Sequence, residues 1–194
     1  MIVLSYIKEN IRAIGIDDGY FRPKRKGKTK LVAVLLRADC RLEGILCSEI
    51  EVDALDATAR ILDMLKKDDS KFIKQASVVF LDGINFAGFN IVDINALSNA
   101  LEKPVIVVFR KMPKMEKIFK ALERFADKDL RKELIKKAGR IYKAEHIFFQ
   151  CAGIEASEAK ALIKKFSIHS NLPEPVRMAH LIASAITLGR STTP

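Results

Sequence analysis

Two aspartates carry the most informative chemistry in this 194-residue chain. Asp17 closes the apolar run IRAIGID and Asp82 closes SVVFLD, each where a strand is expected to end. If those strands are parallel neighbours, both carboxylates emerge at one sheet edge, the place where open α/β sheets bind ligands. Carboxylates placed in this way can clamp Mg²⁺ or Mn²⁺, and such a cation binds phosphates and activates water for attack on a phosphodiester. The alternative reads Asp17, Asp18 and Asp82 as turn formers, each followed sooner or later by glycine.

Further acids stand at related places. Asp53 and Asp56 follow the third expected strand, at the same predicted edge, and can complete a metal site with Asp17, Asp18 and Asp82. Read structurally, they imitate a capping box and complement a helix dipole. Asn90 and Asp93 share that spacing and that alternative. Glu49 and Glu51 flank Ile50 and point to one face of their strand, an ordinary pattern on an exposed face. Near the end, PEPVRMAH sets Glu174 before the first turn of a helix, with Arg177 and His180 three apart on one side. An acid, a cation and an imidazole together can hold a phosphate or a metal; otherwise Glu174 complements the dipole, Arg177 pairs with it and His180 is half-buried. His146 and His169 have no partner at ligand spacing, which argues against a His/Cys zinc site. The three cysteines, Cys40, Cys47 and Cys151, lack CxxC spacing, so a disulfide scaffold is not expected. Nucleophile elbows, GxGxxG and Walker loops are absent from the sequence.

The elements that must position these groups follow from pattern. Strands are expected at Ile11 to Asp17, Leu31 to Leu36 and Gly44 to Val52, joined by short links as an antiparallel meander. A helix opens at Asp53, with Leu55, Ala59, Leu62 and Leu65 as its stripe. Buried strands at Ser77 to Leu81 and Pro104 to Phe109 flank a helix that Asn90 caps and that runs to about Leu101. Two linked helices carry Met115, Ile118, Phe119, Leu122 and Phe125, then Leu130, Leu134, Ile135 and Ala138. A last strand (His146 to Cys151) and helices at Glu155 to Phe166 and Pro175 to Leu188 complete a single domain over 1–194. Three antiparallel strands followed by strands alternating with helices is the order of the ribonuclease H-like fold, with doubly wound parallel folds as competitor.

The 34 basic residues against 24 acidic give a net charge of +10, concentrated in two stretches. RPKRKGKTK, with Arg22, Lys24, Arg25, Lys26, Lys28 and Lys30, has no acid, and Lys103 to Lys143 holds fourteen basic residues against five acidic. Such segments around an acidic remainder suit a polyanion on one surface and cations on another, or simply solvate helix faces. The basic run is expected to form a mobile arm that grips phosphates without reading bases, since it has no aromatic residue for stacking. Short apolar runs, and an N-terminus (MIVLSYIKENIR) without signal-peptide design, predict a cytoplasmic protein.

Taken in order, GIDDGYF, VDALDAT, FLDGINFAGFNIVDI, PVIVVFRKMP and PEPVRMAH resemble the signature segments of an archaeal family of unknown function related to endonuclease V. The resemblance implies a three-layer α/β/α, ribonuclease H-like domain with a mixed sheet in the order 3-2-1-4-5. It also implies Mg²⁺ (or Mn²⁺) held by acidic residues, with Asp17 and Asp82 matching residue by residue, and cleavage of nucleic acid. Arg110 and Arg177 join the basic run as expected phosphate contacts. Endonuclease V carries an Arg-Glu pair and a Pro- and Tyr-bearing wedge where this chain has RLEGILCSEIEVD, and Gly-His where this chain has Pro173, Glu174 and Pro175. The alternative to a metal-dependent nuclease is a noncatalytic nucleic-acid-binding or interaction protein that keeps the fold.

Overall fold

The computed structural model describes residues 10–23, 25–67 and 71–194. Expectations about the leading segment Met1 to Glu9 and about Lys24 fall outside the described residues.

Strands β1 (Arg12–Asp18), β2 (Lys28–Arg37) and β3 (Leu42–Glu51) form the expected antiparallel meander, with Asp18 opposite Leu31 and Lys28 opposite Glu51. The chain crosses through α1 (Ala57–Lys66) and α2 (Lys71–Gln75) to β4 (Val78–Asp82), which runs parallel to β1 with Ile16 beside Leu81. A separate small hairpin of β5 (Asn85–Phe86) and β6 (Asn90–Ile91) precedes α3 (Ile94–Leu101) and β7 (Val105–Phe109), parallel to β4. Helices α4 (Met115–Leu122) and α5 (Lys128–Lys137) then lead to a second hairpin, β8 (Tyr142–Ala144) and β9 (Ile147–Ala152). Helices α6 (Ala156–Phe166) and α7 (Glu174–Leu188) follow.

The main sheet has the order β3-β2-β1-β4-β7-β9-β8. The expected 3-2-1-4-5 order therefore holds through β7, and an antiparallel hairpin extends it. Strand β8 has no sequence signal, because three residues, Tyr142, Lys143 and Ala144, are too few to show a period.

Side chains alternate across each strand, so each face collects its own layer. Ile14, Ile16, Val79, Leu81, Val105 and Val107 pack with Ile61 and Leu65 of α1 and Leu97 of α3. Ala13, Phe80, Ile106 and Val108 meet Leu162 and Phe166 of α6 and Val176 of α7, while Val32 and Val34 meet Ala179 and Ala183 of α7. The result is a three-layer α/β/α, ribonuclease H-like arrangement. The central strands β4 and β7 read as continuous apolar runs because both their faces are covered. Phe80 meets Phe166 edge to face at 5.7 Å between ring centroids, fixing α6 on the sheet.

Two helix starts differ from expectation. Helix α1 begins at Ala57, because Asp53 takes the left-handed conformation (φ 59°), which an α-helix cannot use. Asn90, expected to cap the next helix, instead accepts the Ala57 N–H through its side-chain oxygen at 2.9 Å, capping α1 from across the layer. Asp93 caps α3, accepting from the N–H groups of Asn95 and Ala96.

Helix α7 lies almost in backbone contact with β1. A Cβ at Gly15 would stand 2.1 Å from the Pro175 carbonyl carbon and oxygen, so glycine is what lets the helix approach. Among the described residues, no helix is long and apolar enough to cross a membrane.

Candidate active site

Asp17 and Asp82 stand one residue beyond the Ile16–Leu81 pair, on neighbouring parallel strands. Alternation turns both toward the α6 and α7 layer, since Ala13 two pairs earlier on β1 and Phe80 on β4 face it too. Their partner from that layer is His180 of α7, whose Nδ1 lies 2.7 Å from Asp17 Oδ2 and 4.0 Å from Asp82 Oδ2. One oxygen from each aspartate and one ring nitrogen of His180 all lie within 4.8 Å of one another. The other ring nitrogen, Nε2, is 3.0 Å from Thr192 Oγ1. Arg110, just past β7, donates Nη1 and Nη2 to the two oxygens of Asp82 at 3.0 and 2.8 Å. These groups, with Tyr20, Phe21 and Ser184, line an open cavity of about 390 Å³.

The electrostatics follow from burial. Asp17 is only 5% exposed. Loss of hydration, reinforced by the charge of Asp82, pushes its carboxyl up to about 6, against the hydrogen bond from His180 that favours the anion. That same hydrogen bond raises the His180 pKa, against its own partial burial. Of the two carboxylates at this edge, Arg110 offsets the charge of Asp82, and Asp17 is the one whose anion burial disfavours.

The other expected ligands make contacts of their own, although Asp18 also lines this cavity. Asp18 is the next residue on β1, so its side chain faces the opposite layer, where Oδ2 accepts the Ala87 N–H at 3.0 Å; burial, with Asp17 next to it, holds its carboxyl well above the usual range. Asp53 accepts the Phe89 N–H at 2.9 Å and pairs with Arg124 at 3.0 Å. Asp56 receives Asn90 Nδ2 at 2.6 Å and Arg60 Nε at 2.9 Å. Both lie in a connection locked by Arg131, 3% exposed, which donates to the carbonyls of Asp53, Ala54 and Phe89 and to Asp127. Glu174 does not join Asp17 and Asp82 either. It sits at the first turn of α7, more than a helical turn before His180, and its carboxylate takes both Arg177 (2.7 Å) and the His169 N–H (3.1 Å). Arg177, expected as a phosphate contact, pairs with Glu174.

Of the basic run, Arg22, Arg25 and Lys26 are exposed in the β1–β2 connection. Lys28 and Lys30 instead belong to β2, because pairing with β3 starts at Lys28, and Lys30 pairs with Glu49 at 3.0 Å. A second cavity, of about 320 Å³, shares Asp82 and Arg110 with the first and is walled by Ile84, Phe89, Ile91, Phe109, Met115 and Ile118. Contrary to the expectation from spacing, His169 does acquire ligand-type neighbours, Cys40 and Glu174.

Sequence reasoning placed His180 with Glu174 and Arg177, missing its approach to Asp17. The close approach of α7 at Gly15 is what decides this, and nothing in the helix sequence announces it.

A UPF0215 protein of Methanothermobacter thermautotrophicus is 43% identical over 189 residues, covering 95% of this chain and 92% of that one. The crystal structure of a protein of unknown function from Archaeoglobus fulgidus superposes with a TM-score of 0.82 at 37% identity, covering 92% of this chain and 98% of that chain. The fold extends to Ciona intestinalis endonuclease V, solved with a 24mer DNA containing an inosine followed by a ribo-adenosine: TM-score 0.56, 16% identity, 91% of this chain and 84% of that one. The model of the family described as Endonuclease dU matches residues 9–187. The chain belongs to the Endonuclease dU family.

Proposed function

We propose that this chain is a divalent-cation-dependent endonuclease that cuts a nucleic-acid strand at deoxyuridine, with Asp17 and Asp82 as the cation ligands. The observation that carries the reading is the convergence of two carboxylates from adjacent parallel strands, one of them buried and pushed up to about 6. Two hard oxygen donors suit Mg²⁺ or Mn²⁺, and a cation there would balance the charge that burial penalises. When bound, such a cation supplies a lowered water pKa and polarises the phosphodiester.

The chain's own groups do the rest. Arg110 aims the Asp82 carboxylate through two parallel hydrogen bonds and places a positive charge at the cavity wall. His180 holds a proton at Nδ1 against Asp17, while Thr192 fixes the opposite side of the ring, so the imidazole is oriented for proton transfer at the cavity. Arg22, Lys24, Arg25 and Lys26 contact strand phosphates. The apolar cavity beyond Asp82 receives an unstacked base, a step that chemistry on one chosen nucleotide in a duplex requires. Deoxyuridine enters through the family's name; the likeness to a DNA-bound endonuclease V supports a nucleic-acid substrate.

The test is cleavage of end-labelled single-stranded and duplex oligonucleotides carrying deoxyuridine, inosine or neither, in Mg²⁺, Mn²⁺ or EDTA. Cation-dependent scission favouring the deoxyuridine strand is expected. Binding without scission of any strand would instead establish the noncatalytic alternative.

A further inference from the structure

At the opposite end of β1 from Asp17, three segments far apart in sequence bring a thiol, an imidazole and a carboxylate together. Cys40 comes from the β2–β3 turn, His169 from the α6–α7 connection and Glu174 from the first turn of α7. The Cys40 Sγ, His169 Nδ1 and Glu174 carboxylate oxygen lie within 4.8 Å of one another. Cys40 Sγ is 3.9 Å from His169 Nδ1, which is 3.4 Å from Glu174 Oε1.

We propose that Cys40, His169 and Glu174 form a second, thiophilic metal site for Zn²⁺, separate from the aspartate pair. The spacing fits the ion. Zinc bonds of about 2.3 Å to sulfur and about 2.1 Å to nitrogen and oxygen, opened to a tetrahedral angle, put sulfur and nitrogen about 3.6 Å apart and nitrogen and oxygen about 3.4 Å apart. The observed separations need a contraction of only a few tenths of an ångström at sulfur. Both the thiol and the carboxylate converge on the same ring nitrogen. A catalytic relay would need them on opposite nitrogens, so this geometry favours a shared ion over a Cys-His nucleophile.

The carboxylate is also prepared for the task. Glu174 is 1% exposed; Arg177 engages its Oε2 through Nε and Nη2, and Oε1, which accepts the His169 N–H at 3.1 Å, turns its remaining lone pair toward the His169 ring. Arg177 thus orients the ligand from behind, as outer partners of metal ligands do. His169 is exposed and Cys40 half-buried, which leaves solvent access on one side for an incoming ion and for water in the fourth position. Binding exchanges the Cys40 thiol proton for the metal. A thiolate in the set selects Zn²⁺ or Co²⁺ over the Mg²⁺ and Mn²⁺ that suit two carboxylates. Such an ion would staple the β2–β3 turn to the start of α7, the helix that carries His180.

The test is titration of the full chain with Co²⁺ alone, a spectroscopic substitute for Zn²⁺, followed by displacement with Zn²⁺. Expected is a thiolate-to-cobalt charge-transfer band with tetrahedral d–d absorption that saturates at one equivalent of Co²⁺ bound at this site and is removed by Zn²⁺, whereas Co²⁺ at the aspartate pair gives no such band. Cys40→Ser should abolish the charge-transfer band, and His169→Ala should weaken binding by at least about 100-fold. Both positions avoid the fully buried Glu174, so neither variant is expected to unfold. Cys47→Ser with Cys151→Ser, and separately Asp17→Asn, should leave the band intact. Absence of the band in the native chain, its survival in Cys40→Ser, unchanged Co²⁺ affinity in His169→Ala, or loss of the band in the Cys47/Cys151 variant would overturn the assignment. None of these results depends on cleavage, so the site stands or falls apart from the proposed activity.

Discussion

Asp17→Asn is expected to abolish a pH dependence of folding that the native carboxyl imposes. The unfolded chain releases this proton near the ordinary value of 3.8, whereas burial holds it until about 6 in the folded state. Between those values the native state binds the proton more tightly, so stability falls as pH rises and the loss is complete above the folded value. About two units at 1.36 kcal/mol each amount to about 3 kcal/mol. His180 adds in the same direction: its folded pKa lies above its ordinary 6.5, so its contribution is present below 6.5 and lost as pH rises through the folded value. The exposed carboxylates held at about 2, Asp39 by Arg37 and Glu123 by Lys128 and Lys132, act with the opposite sign, adding stability that is fully present only above their ordinary 3.8 and 4.5; they flatten the acid end of the profile equally in both proteins. The assay is urea unfolding in EDTA from about pH 4 to about pH 8. With an m-value of about 3 kcal/mol/M, the native midpoint should drop across the window by about 1 M more than that of Asp17→Asn, which keeps the slope that buried Asp18, also held high, imposes in both proteins. The constant offset of the substitution cancels in the comparison of slopes. Parallel profiles for the two proteins would refute the reasoning.

Three further outcomes are expected. Gly15→Ala places a methyl against the Pro175 carbonyl, where only backbone can yield, so urea unfolding should show a loss of about 1–3 kcal/mol and the His180 imidazole resonances should shift as α7 lifts from Asp17. Arg131→Ala removes a 3% exposed side chain and leaves three half-buried carbonyls and Asp127 without their donor, and should cost about 2–4 kcal/mol by the same measurement. Replacing Arg22, Arg25 and Lys26 by Ala should reduce the slope of log affinity for duplex DNA against log salt by up to roughly three units, with little change in sequence preference; an unchanged slope in a salt titration marks a solvated loop without a partner.

What the sequence made legible was whatever local pattern encodes. Asp17 and Asp82 stood out because each ends an apolar strand, and alternation of buried strands with helices implied that those strands are parallel neighbours. The same alternation, applied along Ala13, Gly15 and Asp17 against Ile14, Ile16 and Asp18, shows that Asp18 points to the other layer. The signal for Asp18 is therefore present in the sequence. Other misreadings had no local signature. Asp53 and Asp56 look like ligands or caps until Arg124, Arg131 and Asn90 arrive from 34 or more residues away. Glu174 and His180 share a helix, yet six residues at 1.5 Å each place them about 9 Å apart, at different depths of the fold. Leu130 matched a helical stripe but is 49% exposed, since α5 rests on Ile135 and Ala138 instead. Cys40 and His169, separated by 129 residues, meet because the α6–α7 connection passes beside the β2–β3 turn.

The central claim is that Asp17 and Asp82 hold the cation on which strand scission depends. Its most direct test is the single-turnover rate of cleavage of one deoxyuridine-containing oligonucleotide at saturating Mg²⁺, by the native chain, Asp17→Asn and Asp82→Asn, each first shown to fold by its urea profile. Removing a ligand forfeits several kcal/mol of transition-state stabilisation, so each variant should be slower by about 10³-fold or more. Cleavage by either folded variant within about tenfold of the native rate, close to 1.4 kcal/mol, would contradict the account.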